Sequence, residues 1–320
     1  MRKGIFVLGW FLAINCFVVG TSPGENEIRI GYLQSDIHQL SCWVALDKGF
    51  YKGEGLNVKV AGIFKAGPEL MSAFAAGALD IGYVGLAPAT TSVANGVARV
   101  KVLAQVNTEG TAIVVRADSG ISSLADLKGK RIGVPGHSTV QDFLLRKAMA
   151  SCSFGKKEIR ITVLKPPEMI GALRTSQIDA FVAWEPYPAK VVTMGVGKVL
   201  VYSREIWKDH PCCVLVADER FLTLRINDAK KMVRAHVKAT DFINAHPDEA
   251  MRIGVKYTGM DKKTVKLAMR NVNYTYELSE YGVIEYVKFL SGLKYINVSD
   301  PKLFARGFIL AEILQKIVGK

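Results

Sequence analysis

Short apolar runs alternate with helix-period stretches along most of the chain. Residues 28–33 read as a strand, 38–48 as a helix stopped by Gly49, and 56–60 as a second strand. Pro68 suits a first helical position, so 69–76 is predicted helical, with Gly77 as its stop. Residues 81–84 form a third strand, Pro88 opens a helix reaching Asn95, and 100–106 form a fourth strand. This β-α-β-α-β rhythm predicts an α/β fold with a mostly parallel sheet flanked by helices.

The pattern then restarts. Residues 112–116 are extended, Asp118-Ser119-Gly120 is a turn, and Ser123 caps a short turn over 124–127. Strands are predicted over 131–134, 159–164 and 180–183, with helices over 139–150 and 168–175, the second begun by Pro166-Pro167. Residues 199–202 and 213–217 are extended again. From Asp228 the chain turns helical, over 228–245, 247–257, 262–270, 279–291 and 301–318. A second α/β unit nested between the first unit and a helical tail predicts a discontinuous first lobe, 22–110 with 212–320, around a second lobe, 111–211. The chain then crosses between lobes twice, near 107–118 and 210–217. A ligand cleft follows, because pockets favour domain interfaces and the carboxyl ends of parallel strands.

The first 21 residues do not fit this scheme. Arg2-Lys3 precede an apolar stretch over 5–20 broken only by Asn15, and small residues follow. That is the pattern of a secretory leader, shorter than the ~20 apolar residues of a membrane span. Retention as an anchor is the alternative; Asn15 before Cys16 fits a lipid-attachment motif poorly. Formal net charge is +13 over 320 residues, and losing Arg2 and Lys3 with the leader leaves +11. Lys and Arg are scattered rather than blocked, which predicts a solvated basic surface and no nucleic-acid partner. The cysteines, Cys16, Cys42, Cys152, Cys212 and Cys213, show neither a disulfide framework nor zinc spacing, so they read mainly as small buried hydrophobes.

Four segments carry a family resemblance. They are Ala45-Leu46-Asp47-Lys48-Gly49-Phe50-Tyr51 with Glu54-Gly55-Leu56-Asn57-Val58; Ala76-Gly77-Ala78-Leu79-Asp80-Ile81-Gly82; Asp126-Leu127-Lys128-Gly129-Lys130 within 121–134; and Ile178-Asp179-Ala180-Phe181-Val182-Ala183-Trp184-Glu185-Pro186-Tyr187. In this order they resemble the nitrate/sulfonate/taurine class of ABC-transporter solute-binding proteins. The resemblance implies the two-lobed periplasmic-binding-protein type II fold, a location in the periplasm or on the outer face of the cytoplasmic membrane, and an ABC permease with its ATPase as partner. Membrane association is expected only through that permease or a retained N-terminal anchor. The implied cargo is a small solute of sulfonate, nitrate or taurine type. Many of the matching residues are scaffold: Gly49 and Gly55 are most simply a helix stop and a turn.

Ligand candidates lie in loops at strand ends. After the first strand come Gln34, Ser35, Asp36, His38 and Gln39, where Ser35 or Asp36 serves a ligand, a helix cap, or both. Gly85, Leu86 and Ala87 precede Pro88, and Gly136, His137, Ser138 and Thr139 lead into a second helix. Free N–H groups at such helix starts favour an anionic or strongly polar ligand group. Trp184 either stacks on a flat ligand or packs in its lobe; Glu185 either meets a ligand or holds the loop. Asn107 and Thr108 sit at the first crossing and Cys212 at the second, with hinge packing as the rival role. No catalytic order, paired-carboxylate signature, metal spacing or phosphate loop is visible, so neither enzyme activity nor a cofactor is expected. The alternative function is an enzyme on the same fold, in thiamine-pyrimidine or menaquinone synthesis. The export leader argues against the cytoplasmic pyrimidine synthesis.

Overall fold

The computed structural model describes residues 27–152 and 158–319; the expected leader and Cys16 lie outside them. β1 (Glu27–Leu33) leads through a 3-10 turn (Ile37–Gln39) into α1 (Leu40–Asp47) and the single turn α2 (Phe50–Gly53). β2 (Asn57–Phe64), α3 (Gly67–Ala75), β3 (Ile81–Gly85), α4 (Leu86–Ala94) and β4 (Val100–Glu109) complete the first run. After the single residue Gly110 come β5 (Thr111–Arg116), a 3-10 turn (Leu124–Leu127), β6 (Arg131–Val134), α5 (Val140–Ser151), β7 (Arg160–Val163) and α6 (Pro166–Arg174). β8 (Ala180–Trp184), α7 (Tyr187–Thr193), β9 (Gly197–Tyr202) and α8 (Ser203–Ile206) follow. β10 (Pro211–Asp218) then precedes α9 (Glu219–Leu224), α10 (Ile226–Ala245), α11 (Pro247–Thr258), α12 (Lys262–Met269), β11 (Val272–Tyr274), α13 (Glu280–Gly292), α14 (Pro301–Phe308) and α15 (Ala311–Val318). Among the described residues no helix is long and apolar enough to cross a membrane.

Two sheets result. One has the order β11-β4-β10-β3-β1-β2 and the other β7-β6-β8-β5-β9. Pairing is parallel where helices make the crossover, at β1–β2, β1–β3, β6–β7 and β6–β8. It is antiparallel around β4 and β10 in one sheet and β5 in the other. The sheets are therefore mixed rather than mostly parallel. The chain passes from β4 to β5 through Gly110 alone and from β9 to β10 through the single turn α8, with no long helical crossover to impose a parallel direction. β3 is buried along its whole length, as a strand covered by helices on both faces should be. The predicted helix over 301–318 is two helices. Ile309 bridges Val102 and the Leu310 N–H donates to Val102 O at 2.8 Å, so a tertiary contact breaks a continuous helical pattern.

The two sheets repeat one local device. Arg29 on β1 grips Asp80 before β3 through its backbone N–H (2.8 Å), Nε (3.1 Å) and a second guanidinium nitrogen (2.6 Å). Arg131 on β6 grips Asp179 before β8 the same way, at 2.8, 3.1 and 2.9 Å. Each guanidinium also donates to a carbonyl of the turn before its aspartate, Gly77 O or Ser176 O. Fork-shaped pairs of this kind fix geometry as well as energy. They set the register of each central parallel pair.

The lobes join where the chain crosses. Gly110 has φ +86, and a Cβ there would lie 2.2 Å from His38 Nε2 and 2.9 Å from Val272 Cγ2. The second crossing is stitched to the first, since Glu109 N–H donates to His210 O (3.0 Å) and Asp209 N–H to Glu109 Oε1 (3.1 Å). Glu185 also bridges the lobes. Its backbone oxygen accepts from Ile37 N–H (3.1 Å), and its carboxylate accepts from Asn271 Nδ2 (2.7 Å) and from Ala189 N–H (3.0 Å). Burial pushes this carboxyl up to about 7, against the pull of those two donors.

Two stability predictions follow from the junction. Gly110→Ala should cost about 2–4 kcal/mol in denaturant titration, combining left-handed strain with overpacking. Gly49→Ala, at φ +70 with nothing within 4 Å of its Cβ, should cost only about 1 kcal/mol. Equal costs would remove the steric role assigned to Gly110. For Glu185, the native state holds a proton between its ordinary value, near 4.5, and about 7, while the unfolded chain does not. Its contribution to stability therefore falls as pH rises through that window, by at most about 3 kcal/mol. Glu185→Gln should flatten this slope when unfolding free energy is measured from pH 4.5 to 8; an unchanged slope would contradict the assignment.

Candidate binding site between the lobes

The ends of β1, β3, β6 and β8 and the start of β10 converge between the lobes. A narrow cavity there is lined by Leu33, Asp36, His38, Gly67, Gly85, Pro88, Thr139, Val140, Gln141, Trp184, Cys212 and Cys213. Its volume is about 10 Å³, room for about one water. Larger grooves exist, of about 390 Å³ beside Met251 and Tyr274 and about 520 Å³ beside Tyr51 and Lys52. Each lies on the first lobe alone, whereas the narrow cavity is lined from both lobes.

Two helices of different lobes begin at this cavity. α4 starts after Gly85, and a Cβ on Gly85 would lie 3.3 Å from Val140 Cγ2 at the start of α5. Thr139 caps α5, accepting from Asp142 N–H (3.2 Å) while its hydroxyl donates to Gly136 O (2.7 Å). Asp142 turns back to accept from Ser138 N–H (3.1 Å), and its carboxylate also meets Arg146 Nε (2.9 Å) and Tyr295 (3.2 Å). The N–H groups of Val140 and Gln141, in the first turn, have no acceptor inside the helix. Trp184 borders the cavity, and its buried Nε1 has no hydrogen-bond partner.

The hinge end of the cavity holds a polar cluster. His38 Nε2 donates to Gly110 O (2.9 Å); a carbonyl only accepts, so this nitrogen carries a proton. His38 Nδ1 therefore faces Cys212 Sγ at 3.4 Å, Asp36 Oδ1 at 3.5 Å and Cys213 Sγ at 3.8 Å. Gln39 Nε2 donates to Asp36 Oδ2 (2.9 Å) and reaches Cys213 Sγ (3.5 Å). Burial raises Asp36 to about 6, with His38 pulling the other way. Burial lowers His38, but Asp36, Cys212 and Gly110 O outweigh it and hold the imidazole at about 9. Burial likewise opposes ionisation of Cys212, yet Cys213 and His38 take it well below the ordinary thiol value. Cys213 is pushed up by burial and by its neighbour. All four cysteines of the described residues are free thiols.

The sequence candidates divide clearly. Asp36, His38, Gly85, Thr139, Trp184 and Cys212 meet at the cavity. Asp36 also caps the 3-10 turn, so one residue has both roles. Gln39 stands behind the cluster, in contact with Asp36 and Cys213. Gln34 is exposed, and Ser35 donates to Thr258 O (3.2 Å) instead. Leu86 and Ala87 pack into the hydrophobic core. Asn107 ties the hinge, donating to Glu109 O (3.1 Å) and accepting from Cys213 N–H (3.2 Å), while Thr108 accepts from Asn273 Nδ2 (3.1 Å). Gly136 only supplies the carbonyl for Thr139, and His137 and Ser138 line a separate groove of about 230 Å³ with Pro68 and Asn95. Glu185 holds the lobe junction and does not line the cavity. Cys213, Val140 and Gln141 line it without having been singled out. The strand-end rule stopped one residue short at Cys212, and it took the loop before α5 in place of the helix's first turn.

Known proteins share this architecture. A putative aliphatic sulfonates-binding protein of Bacillus subtilis is 29% identical over 295 residues, 89% of this chain and 87% of that one. The periplasmic nitrate-binding protein of Synechocystis superposes with a TM-score of 0.83 at 15% identity, covering 93% and 90% of the two chains. The alkanesulfonate-binding protein of Xanthomonas axonopodis pv. citri bound to MOPS gives 0.78 at 18% identity, covering 89% and 98%. This chain thus shares the two-lobed periplasmic-binding-protein fold with those two solved structures. Residues 21–256 match the model of the NMT1-like family, and the chain belongs to that family.

Proposed function

We propose that this chain is the extracytoplasmic solute-binding protein of an ABC importer, capturing a small organic anion between its lobes and handing it to the permease and its ATPase. One observation carries the reading: two helix N-termini from opposite lobes meet at one cavity beside a buried Trp184 Nε1 that lacks an acceptor. Each helix start offers unpaired N–H groups and roughly half a positive charge. An anion with several oxygens, a sulfonate, carboxylate or nitrate, accepts from all of them at once. The sulfonate-binding and nitrate-binding relatives support the same class of cargo.

In this reading 22–110 with 212–320 make one lobe and 111–211 the other, with 1–21 as the export leader. A cavity of about 10 Å³ admits no organic solute, so loading requires the lobes to part at Gly110 and Asp209–Pro211. Solute then shifts the population toward the shut form to the extent that it binds that form better. The chain acts without turnover. The rival is an enzyme using the Cys212 thiol as nucleophile with His38 as base, 3.4 Å away at Nδ1, although Asp36 faces the same nitrogen and Gly110 O, not a carboxylate, holds Nε2.

A thermal-shift panel of taurine, alkanesulfonates, nitrate, bicarbonate and neutral amides of matching shape tests the reading. Ligand at a hundred times its Kd should stabilise the protein by ~2.7 kcal/mol. Hits should be anions only, recovered unchanged by mass spectrometry. Trp184→Phe should weaken their binding in calorimetry by about tenfold to a hundredfold, the worth of one hydrogen bond to a charged group. Preference for the neutral amides would overturn the anionic class, and chemical conversion of a hit would promote the enzyme.

A further inference from the structure

We infer that His38, Cys212 and Cys213 together hold a thiophilic metal ion, Zn2+, at the hinge end of the interlobe cavity. The three ligand atoms lie within 4.8 Å of one another and all three residues are buried. The site stands apart from the identity of any solute.

Adjacent cysteines do not ordinarily converge. In a regular strand successive side chains face opposite ways. Here Pro211 pairs with Thr108 and Cys213 with Asn107, so Cys212 is an extra residue in β10. Such a bulge re-aims side chains, and this one brings both sulfurs to His38 Nδ1, at 3.4 and 3.8 Å. Zinc–sulfur bonds of about 2.3 Å and zinc–nitrogen bonds of about 2.0–2.1 Å put a tetrahedral N···S edge at about 3.6 Å. The two observed separations bracket that length.

The surroundings are those of a metal site. Gly110 O accepts from His38 Nε2–H, and a bound metal ion would displace the proton from Nδ1 and use that nitrogen as its donor atom, the arrangement that orients metal-binding histidines. Gln39 Nε2 touches both Asp36 and Cys213 Sγ, a hydrogen-bonded outer layer. Two thiolates and a neutral imidazole carry two negative charges, which a divalent ion cancels inside the protein. Soft sulfur ligands select zinc over magnesium or calcium. All three residues border the cavity, and Asp36 lies beside the same imidazole nitrogen, 3.5 Å away. A site with three protein ligands and one open position exchanges that position with water or another donor.

The test uses the full chain, reduced and stripped of metal, titrated with Co2+ as a spectroscopic probe and then with Zn2+. One equivalent of Co2+ should give thiolate-to-cobalt charge-transfer absorption with tetrahedral d–d bands, and one equivalent of Zn2+ should erase them. Cys213→Ser and His38→Gln should each lower Zn2+ affinity by more than roughly a hundredfold, beyond the tenfold to hundredfold expected for the outer residue in Gln39→Ala. Cys152→Ser, remote from the cluster, should leave it unchanged. Circular dichroism of each metal-free variant checks folding; where one fails to fold, the Gln39→Ala affinity and the wild-type spectrum carry the test. Absence of the charge-transfer bands in the wild-type protein, or equal affinity in wild type and Cys213→Ser, would reduce the cluster to a hydrogen-bonded thiol–imidazole group and overturn the inference.

Discussion

The site depends on one close approach, the ring of His38 against the backbone of Gly110. No side chain fits between them, since a Cβ on Gly110 would sit 2.2 Å from Nε2. The contact fixes three things. It places the loop after β1 on the hinge, it commits the Nε2 proton to Gly110 O, and it turns Nδ1 toward β10. The second crossing is tied to the first through Glu109 and His210, so Cys212 and Cys213 arrive at a predetermined distance. Hinge and cluster are one construction, and a change in either is felt by both.

The polar contacts between the lobes are modest. Beyond the Ile37–Glu185 backbone bond and Asn271, the lobes meet through Thr193 and Thr264 hydroxyls at 2.7 Å. Ion pairs at the rim join Lys165 to Glu69 and Lys190 to Asp261. Those side chains are about a third to a half exposed, so each pair contributes about 0–1 kcal/mol. Apolar packing adds to these, since Phe143 lies 4.3 Å from Tyr286 and 4.4 Å from Phe289 between ring centroids, and on the proposed reading reopening would have to separate those rings. A solute with a few kcal/mol of preference for the shut form suffices to reverse the balance between two states.

Much of the scaffold was legible in the sequence because local signals and tertiary packing agree there. The strand at 131–134, the helix starts at Pro68 and Pro166, and the turn that begins at Ser123 are local chemistry, and the structure keeps them. What escaped is what another segment decides. β11 is three residues long and exists because β4 offers it an edge. The kink between α14 and α15 belongs to Val102. The Arg29–Asp80 and Arg131–Asp179 clamps are equivalent in space, but the residues between them differ too much to read as a repeat. At the site, strand-end reasoning reached Asp36, His38, Thr139, Trp184 and Cys212. It stopped at Cys212, and strand alternation alone would send the side chain of Cys213 to the other face. Only the bulge in β10, a property of its pairing with β4, brings it back.

The excess positive charge of the chain has little to do with the cavity. Neither Lys nor Arg lines it; His38 is its one cationic group, and Asp36 stands 3.5 Å from that imidazole. On the proposed reading, in which the lobes close and reopen, this is a sensible arrangement. An unpaired lysine or arginine shut inside without its solute would cost several kcal/mol in lost hydration. Backbone N–H groups at helix starts impose a smaller penalty, since they are fixed dipoles whose charge is spread over a turn. They still reward an anion that arrives with its oxygens correctly placed. On the proposed reading, selectivity would come from the directions of the N–H bonds at α4 and α5 and of the Trp184 indole. A rigid backbone holds those directions more firmly than a flexible cationic side chain could.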